Sequence, residues 1–130
     1  MTLPSEWDLT IGSRFSSEGL TVGKTGLTTE VLGMVAERFK ALSEPARLQL
    51  LQAMQPRELS VNELVHVTGL GQANVSKHLQ VLHGLGFVKR RKEGLFVYYA
   101  LADRSVLEQC DLMCGQIEAQ LEAQQRLLSA

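Results

Sequence analysis

No stretch of this 130-residue chain is apolar for anything near the roughly 20 residues that a membrane-spanning helix requires. No membrane partner is therefore expected. The N-terminus, MTLPSEWDLTIGSRF, carries acidic residues early and has no apolar h-region, so it is not expected to act as a secretory signal. Cysteine is scarce: two residues cannot build a disulfide framework, and without an export signal they are expected to be free thiols in a reducing cytoplasm. A phosphate loop is missing too. The "GKT" at residues 23–25 needs a glycine five residues before Gly23, and position 18 is Glu. No nucleophile–base constellation and no metal-hydrolase spacing occurs, so an enzyme is not expected.

Net charge is almost absent as well, at −1 with a pI near 6.3. That near-neutrality hides an uneven distribution. Residues 72–94 hold five cations (Lys77, Lys89, Arg90, Arg91, Lys92) against Glu93 alone, a local +4, which leaves −5 for the rest of the chain. Surface fields fade over a Debye length of about 8 Å, so a cationic stripe can hold a polyanion even on an acidic body. The acidic remainder weakens indiscriminate binding.

What is present suffices for one ordinary core and one domain, since 45% of the residues are hydrophobic. Residues 1–27 lack a sustained period and are rich in Ser, Thr and Gly; they are expected to form a flexible arm, with a short turn around Trp7, ahead of a domain spanning 28–130. From Thr29 the helical period begins, with Leu32, Val35, Phe39 and Leu42 on one stripe. In "SEP", Ser43 suits an N-cap and Pro45 a first helical turn. Leu48, Leu51 and Met54 then carry a second short helix before Pro56. Ser60 and Glu63 have the capping-box spacing of a third helix, with Gly69 at its left-handed end. A fourth helix spans 72–83, with Val75, Leu79 and Leu82 on one face and Gly84 ending it.

Two helices joined by a tight glycine-containing turn make a helix-turn-helix unit. "FVKRR" and "LFVYYAL" follow at once, β-rich runs flanking Lys92, Glu93 and Gly94, with glycine where a hairpin needs positive φ. The predicted fold is mostly α with a small β-hairpin: a winged helix-turn-helix. Its recognition helix would enter the major groove of double-stranded DNA while the wing lies along the backbone. At about 100° per residue, Ala73, Lys77 and Gln80 face away from the core side of the fourth helix, flanked by Asn74 and Ser76. With Gln72 at the helix start and Arg90, Arg91 and Lys92 on the wing, these are the candidate DNA contacts. His78 lies nearer the core side and suits packing or a phosphate hydrogen bond. A polar outer face alone is usually just solvated, and basic residues on a hairpin can merely protect an edge. The order of the two elements makes DNA the better reading. His66 and His83 have no partner at ligand spacing and are expected to be surface histidines.

"RFKALSEPARLQLLQAM", "ELSVNELVHVTGLGQANVSKHLQVLHGLGFVKRRKEGLFVYYAL" and the helix beyond resemble the ArsR/SmtB repressors, small winged-helix sensors of bacteria. The resemblance spans roughly residues 35–121, and "VSKHLQVL" and the "VYY" of the second wing strand are its most specific parts. It implies a homodimer held by the first and last helices and reading a partly palindromic operator. It also implies repression until a ligand, usually a metal ion or a reactive sulfur or arsenic species, loosens the complex. The family's base-facing positions fall on Ala73, Asn74, Ser76 and Lys77, and its wing cations on Arg90, Arg91 and Lys92.

Departures from the family narrow the signal. Arsenic-sensing members carry two cysteines in an "ELCVCDL" pattern, and this chain reads "ELSVNEL", with Ser60 and Asn62 instead. Zinc-sensing members place Asp, His, His and Glu along the last helix; here Asp103 is present, Ser105 stands where the first His would be, and no histidine follows residue 83. What remains is Cys110 and Cys114 in "EQCDLMCGQIEAQL". Leu107, Cys110, Cys114, Ile117 and Leu121 step by three and four, the pattern of a helix that pairs with another. Across a dimer axis four thiols could gather, a set suited to a soft or borderline metal or metalloid ion. A thiol-reactive oxidant or persulfide is an equally open input, although Asp111 lends no positive charge to activate Cys110. A disulfide within the pair would be strained, because the helix holds the two Cα atoms near the upper limit for one. The bland alternative is that both cysteines only pack the seam, as small hydrophobes do. The expected function is thus a repressor released through Cys110 and Cys114. Its alternatives are a winged-helix regulator without thiol sensing and a winged-helix protein-interaction module.

Overall fold

The structure, a computed structural model, describes Trp7 and residues 28–129. The arm expected at 1–27 therefore lies outside the described residues, Trp7 excepted. Helix α1 spans Thr29–Leu42 and starts where Thr28 Oγ1 accepts from the Val31 N–H at 3.2 Å. Its stripe is not buried within one chain: Leu32 and Phe39 stay 49% and 58% exposed, and Val31 and Ala41 are the residues it buries. Helix α2 covers Pro45–Ala53. Ser43 does not cap it, contrary to expectation. Pro45 pushes the preceding residue out of the helical region, so Glu44 takes the N-cap in an extended conformation, and the Ser43 hydroxyl donates to Lys40 O at the end of α1. Leu50 and Leu51 are the buried residues of α2, while Leu48 is only half-buried.

Strand β1 (Leu59–Ser60), which the sequence did not announce, leads straight into helix α3 (Val61–Thr68). The capping box is present: Glu63 N–H donates to Ser60 Oγ, and Ser60 N–H donates to Glu63 Oε1, both at 3.1 Å. After the turn at residues 69–71, helix α4 runs over Gln72–Gly84. The left-handed residue that closes it is Gly86 (φ 80°), two positions past the expected Gly84, with Phe87 N–H donating back to Leu82 O. Strands β2 (Val88–Glu93) and β3 (Phe96–Leu101) form the wing. Their register pairs Glu93 with Phe96, leaving a two-residue loop at Gly94 and Leu95 whose glycine has φ 60°. The antiparallel sheet has the order β1-β3-β2. Helix α5 (Ser105–Ser129) extends about 37 Å at 1.5 Å per residue.

One cluster holds these parts together. Leu50, Leu51, Met54, Leu59, Leu64, Val75, Leu79, Leu82, Val88, Tyr99, Val106 and Leu107 are all buried in it. Each fully buried aliphatic side chain removes enough apolar surface from water to contribute about 1.5–3 kcal/mol. The buried residues of α5 are Val106 and Leu107 in its first turn, and residues 111–129 are exposed throughout. Among the described residues no helix is long and apolar enough to cross a membrane.

Gly69 ends α3 at φ 73°, and a Cβ placed there would meet nothing within 4 Å. The cost of Gly69→Ala is therefore conformational alone, roughly 1–2 kcal/mol for an L-residue in the left-handed region. Urea denaturation should show a lower midpoint with an unchanged slope; a midpoint equal to that of the parent chain would refute the left-handed turn.

Candidate nucleic-acid interface

The turn between α3 and α4 is set by local chemistry. Thr68 Oγ1 donates to Leu64 O at 2.6 Å and accepts from the Leu70 N–H, while Gln49 Nε2 donates to Thr68 O and ties α2 to the same corner. Helix α4 then turns Val75, Leu79 and Leu82, all 0% exposed, into the core. Gln72, Ala73, Asn74, Lys77 and Gln80 are consequently exposed on its outer side, and Ser76 is half-buried beside them. The candidate residues of this helix therefore share one accessible face.

His78 is half-buried at the edge of that face. Arg47 Nε–H donates to its Nδ1 at 3.1 Å, and Nη1 of the same guanidinium donates to Ala41 O at 3.1 Å. Sequence periodicity misses Arg47, which comes from a different helix 31 positions away. His66 is exposed, as expected. His83 is not a surface histidine: it is 5% exposed, because it stands one turn beyond Leu79 and beside Leu82 on the flank of the buried stripe.

The wing sorts its cations by strand period. Val88 is buried in the core, so Arg90 and Lys92 continue the same face of β2 outward, opposite Tyr99 and Val97 on β3. Both side chains are exposed on the side of the sheet that packs toward α4. Lys89, Arg91 and Glu93 occupy the reverse face. There the Arg91 guanidinium makes a two-pronged pair with Glu58, Nε to Oε2 at 2.9 Å and Nη2 to Oε1 at 2.5 Å, and its Nη1 reaches Glu93 at 2.6 Å. It also lies 4.5 Å from the centre of the Tyr98 ring, its cross-strand partner, and 5.8 Å from that of Trp7. Lys89 Nζ sits 4.6 Å from the same tryptophan ring, within range of a cation–π attraction. The structure thus separates Arg91 from Arg90 and Lys92.

Glu58 is the residue that sequence reasoning overlooked, since no spacing rule links it to an arginine 33 positions later. Hydrogen bonding to Arg91 holds its carboxyl below the usual 4.5, against a smaller opposing effect of burial. Glu63 is lowered too, by the Ser60 N–H and then by Arg57, which reaches it at 3.0 Å. The carboxylates in turn raise the Arg91 guanidinium, so Arg91 is a fixed positive charge in a fixed place.

Cys110 is half-buried and Cys114 exposed on α5. Both line a recess of about 370 Å³ with Phe39, Leu42, Leu48 and Ile117. Burial pushes the Cys110 thiol up, helped by the neighbouring Cys114 and Asp111. Among the described residues no group of three or more His, Cys, Asp or Glu side chains could hold a metal ion. One chain therefore offers two thiols, half of a tetrahedral thiolate set.

The lowered carboxyls carry a pH signature. A carboxylate whose folded value lies below its unfolded value stabilises the fold fully above the unfolded value, and that contribution disappears as pH falls through the folded one. The chain should lose stability as the pH drops below about 4.5, and Glu58→Gln with Glu63→Gln should flatten that acid limb while lowering stability at neutral pH. Denaturant midpoints at a series of pH values test this; identical pH profiles for parent and variant would count against both hydrogen-bonded pairs.

Comparison with known proteins gives concordant matches. Residues 44–90 match the profile of the bacterial regulatory proteins of the arsR family. The chain is 40% identical over 73 residues to the transcriptional repressor SmtB homolog of Synechocystis sp., covering 56% of this chain and 55% of that protein. It is 32% identical over 94 residues to the HTH-type transcriptional regulator NmtR of Mycobacterium tuberculosis, covering 72% of this chain and 78% of that one. Among solved structures, the homodimeric winged helix-turn-helix DNA-binding domain Mb0332 of Mycobacterium bovis superposes with a TM-score of 0.64 at 30% identity, covering 76% of this chain and 94% of that one. The match thus spans little more than half the length of the Synechocystis relative.

Proposed function

The chain belongs to the ArsR/SmtB family of bacterial regulatory proteins, and on that premise we propose that it is a cytoplasmic, homodimeric, sequence-specific DNA-binding repressor. The observation that carries this reading is the packing of helix and hairpin on a single core. Val75, Leu79 and Leu82 of α4 are buried with Val88 of β2, which leaves the outer face of α4 and the pair Arg90 and Lys92 exposed. In this reading α4 enters the major groove, where Asn74, Ser76 and Lys77 meet base edges, and Gln72, Ala73 and Gln80 line the approach. Lys77, Arg90 and Lys92 hold phosphates, and their neutralised charges make affinity depend on salt. Arg91, engaged by Glu58, stiffens the wing and adds a more distant positive charge.

Homodimerisation is supported by the apolar residues one chain leaves open, Leu32 and Phe39 on α1 and Leu112, Ile117 and Leu121 on α5. The M. bovis domain is itself homodimeric. Pairing through these helices would space two recognition helices by about one turn of DNA, 34–36 Å. Release is assigned to Cys110 and Cys114, whose helix both forms the pairing seam and faces the recess beside α1. A soft or borderline metal or metalloid ion suits such a set of sulfurs. When bound, such an ion supplies a cross-link between thiolates. Two chains would furnish four sulfurs, and coordination would release their protons. A shift in helix pairing then changes the spacing of the reading heads, with a coupling of about 1–3 kcal/mol between signal and DNA.

Titrating the purified chain against DNA from upstream of its own gene at two salt concentrations tests the reading. Arg90→Ala with Lys92→Ala should weaken binding to every sequence and flatten its salt dependence. An unaltered slope removes the wing from the interface, and no binding to any duplex leaves the protein-interaction alternative. Cys110→Ser with Cys114→Ser should keep operator affinity and abolish inducer release; a double variant that responds normally in a reporter strain excludes thiol sensing.

A further inference from the structure

The His78 ring is held from one side only. An arginine side chain donates hydrogen bonds and never accepts them, so the 3.1 Å contact from Arg47 Nε makes Nδ1 the acceptor nitrogen and puts the ring proton on Nε2. The second arm of the guanidinium is fixed on Ala41 O at the end of α1, so the donor approaches from a set direction. Nε2 meets no polar partner among the described residues. No buried side-chain nitrogen or oxygen among them is left unpaired, so Nε2–H opens to solvent. It does so on α4, beside Lys77 and one turn beyond Asn74.

We propose that Arg47 is a positioning residue that presents His78 to DNA as a fixed Nε2–H donor for a phosphate oxygen. The proposal rests on the reading of α4 as the DNA-contacting helix. An unheld imidazole divides its proton between two nitrogens and turns freely. One held at Nδ1 keeps a single donor aimed outward at the rim of the helix, where a groove wall would pass. The contact is a hydrogen bond from a neutral ring, so it adds affinity without adding to the phosphate charges neutralised. In that respect it differs from Lys77, Arg90 and Lys92.

Two substitutions separate the two ring nitrogens. Glutamine at this position can set its amide nitrogen near the place of Nε2, whereas asparagine keeps a polar atom for Arg47 near Nδ1 and has none farther out. His78→Gln should stay within about twofold of the parent affinity for the operator, and His78→Asn should lose roughly tenfold, with the salt slope unchanged in both. Arg47→Leu should weaken the parent but not the His78→Gln background, because an amide needs no tautomer to be chosen. Imidazole 15N shifts of the full chain without DNA should report the Nε2–H tautomer, and a mixture in Arg47→Leu. A mixed or Nδ1–H ring in the parent, a His78→Asn variant that binds normally, or an Arg47→Leu loss equal in both backgrounds would overturn the proposal. The first and last of these leave the repressor reading standing, as does the second. Failure of the parent to bind any duplex would sink both. The His78 pair leaves Arg47 in place, so it decides the matter even where Arg47→Leu fails to fold.

Discussion

Val75, Leu79 and Leu82 of α4 are buried in the same cluster as Val88 at the root of the wing, and everything else about the candidate interface follows from that shared burial. A helix and a hairpin that packed on separate cores would be free to point anywhere. Here the helix can move relative to the strand only by opening a close-packed interior, which is costly even for a single methylene. The four residues set which way Lys77 and Arg90 face before any partner is present. Phe87 N–H, bonded back to Leu82 O, shortens the connection further.

The second constraint is the two-residue period of a strand. Four consecutive cations read as one patch in the sequence, yet alternate side chains leave a strand on opposite faces. Arg90 and Lys92 inherit the direction of Val88, and Lys89 and Arg91 the reverse. Glu58 then occupies the arginine that lands on the far side. Two arginines adjacent in the chain thus have different work, one exposed beside the core face and one clasped between carboxylates.

Much of this was legible beforehand, for identifiable reasons. Helix ends and turns are local, so the capping box at Ser60 and Glu63, the left-handed Gly69 and the hairpin glycine at 94 could be read from a few residues each. The inner face of α4 followed from the 3.6-residue period. What escaped depends on residues far apart. Strand β1 exists because Leu59 and Ser60 meet Tyr99 and Tyr98 of β3. Glu58 meets Arg91, and Arg47 meets His78, across gaps no periodicity spans. At Ser43 the N-cap preference of serine yields to the proline two positions later, which makes Glu44 the cap. The apolar stripe of α1 is plain in the sequence, but a single chain leaves Leu32 and Phe39 uncovered.

The chain contains a single tryptophan, and its ring rests against Lys89 and Arg91 on the reverse face of the wing. Indole emission therefore has one source, placed within a few ångströms of two cations on the strand. A change in hairpin geometry would alter the field and the solvation around that ring. The wing carries a built-in optical gauge, readable without attaching a dye.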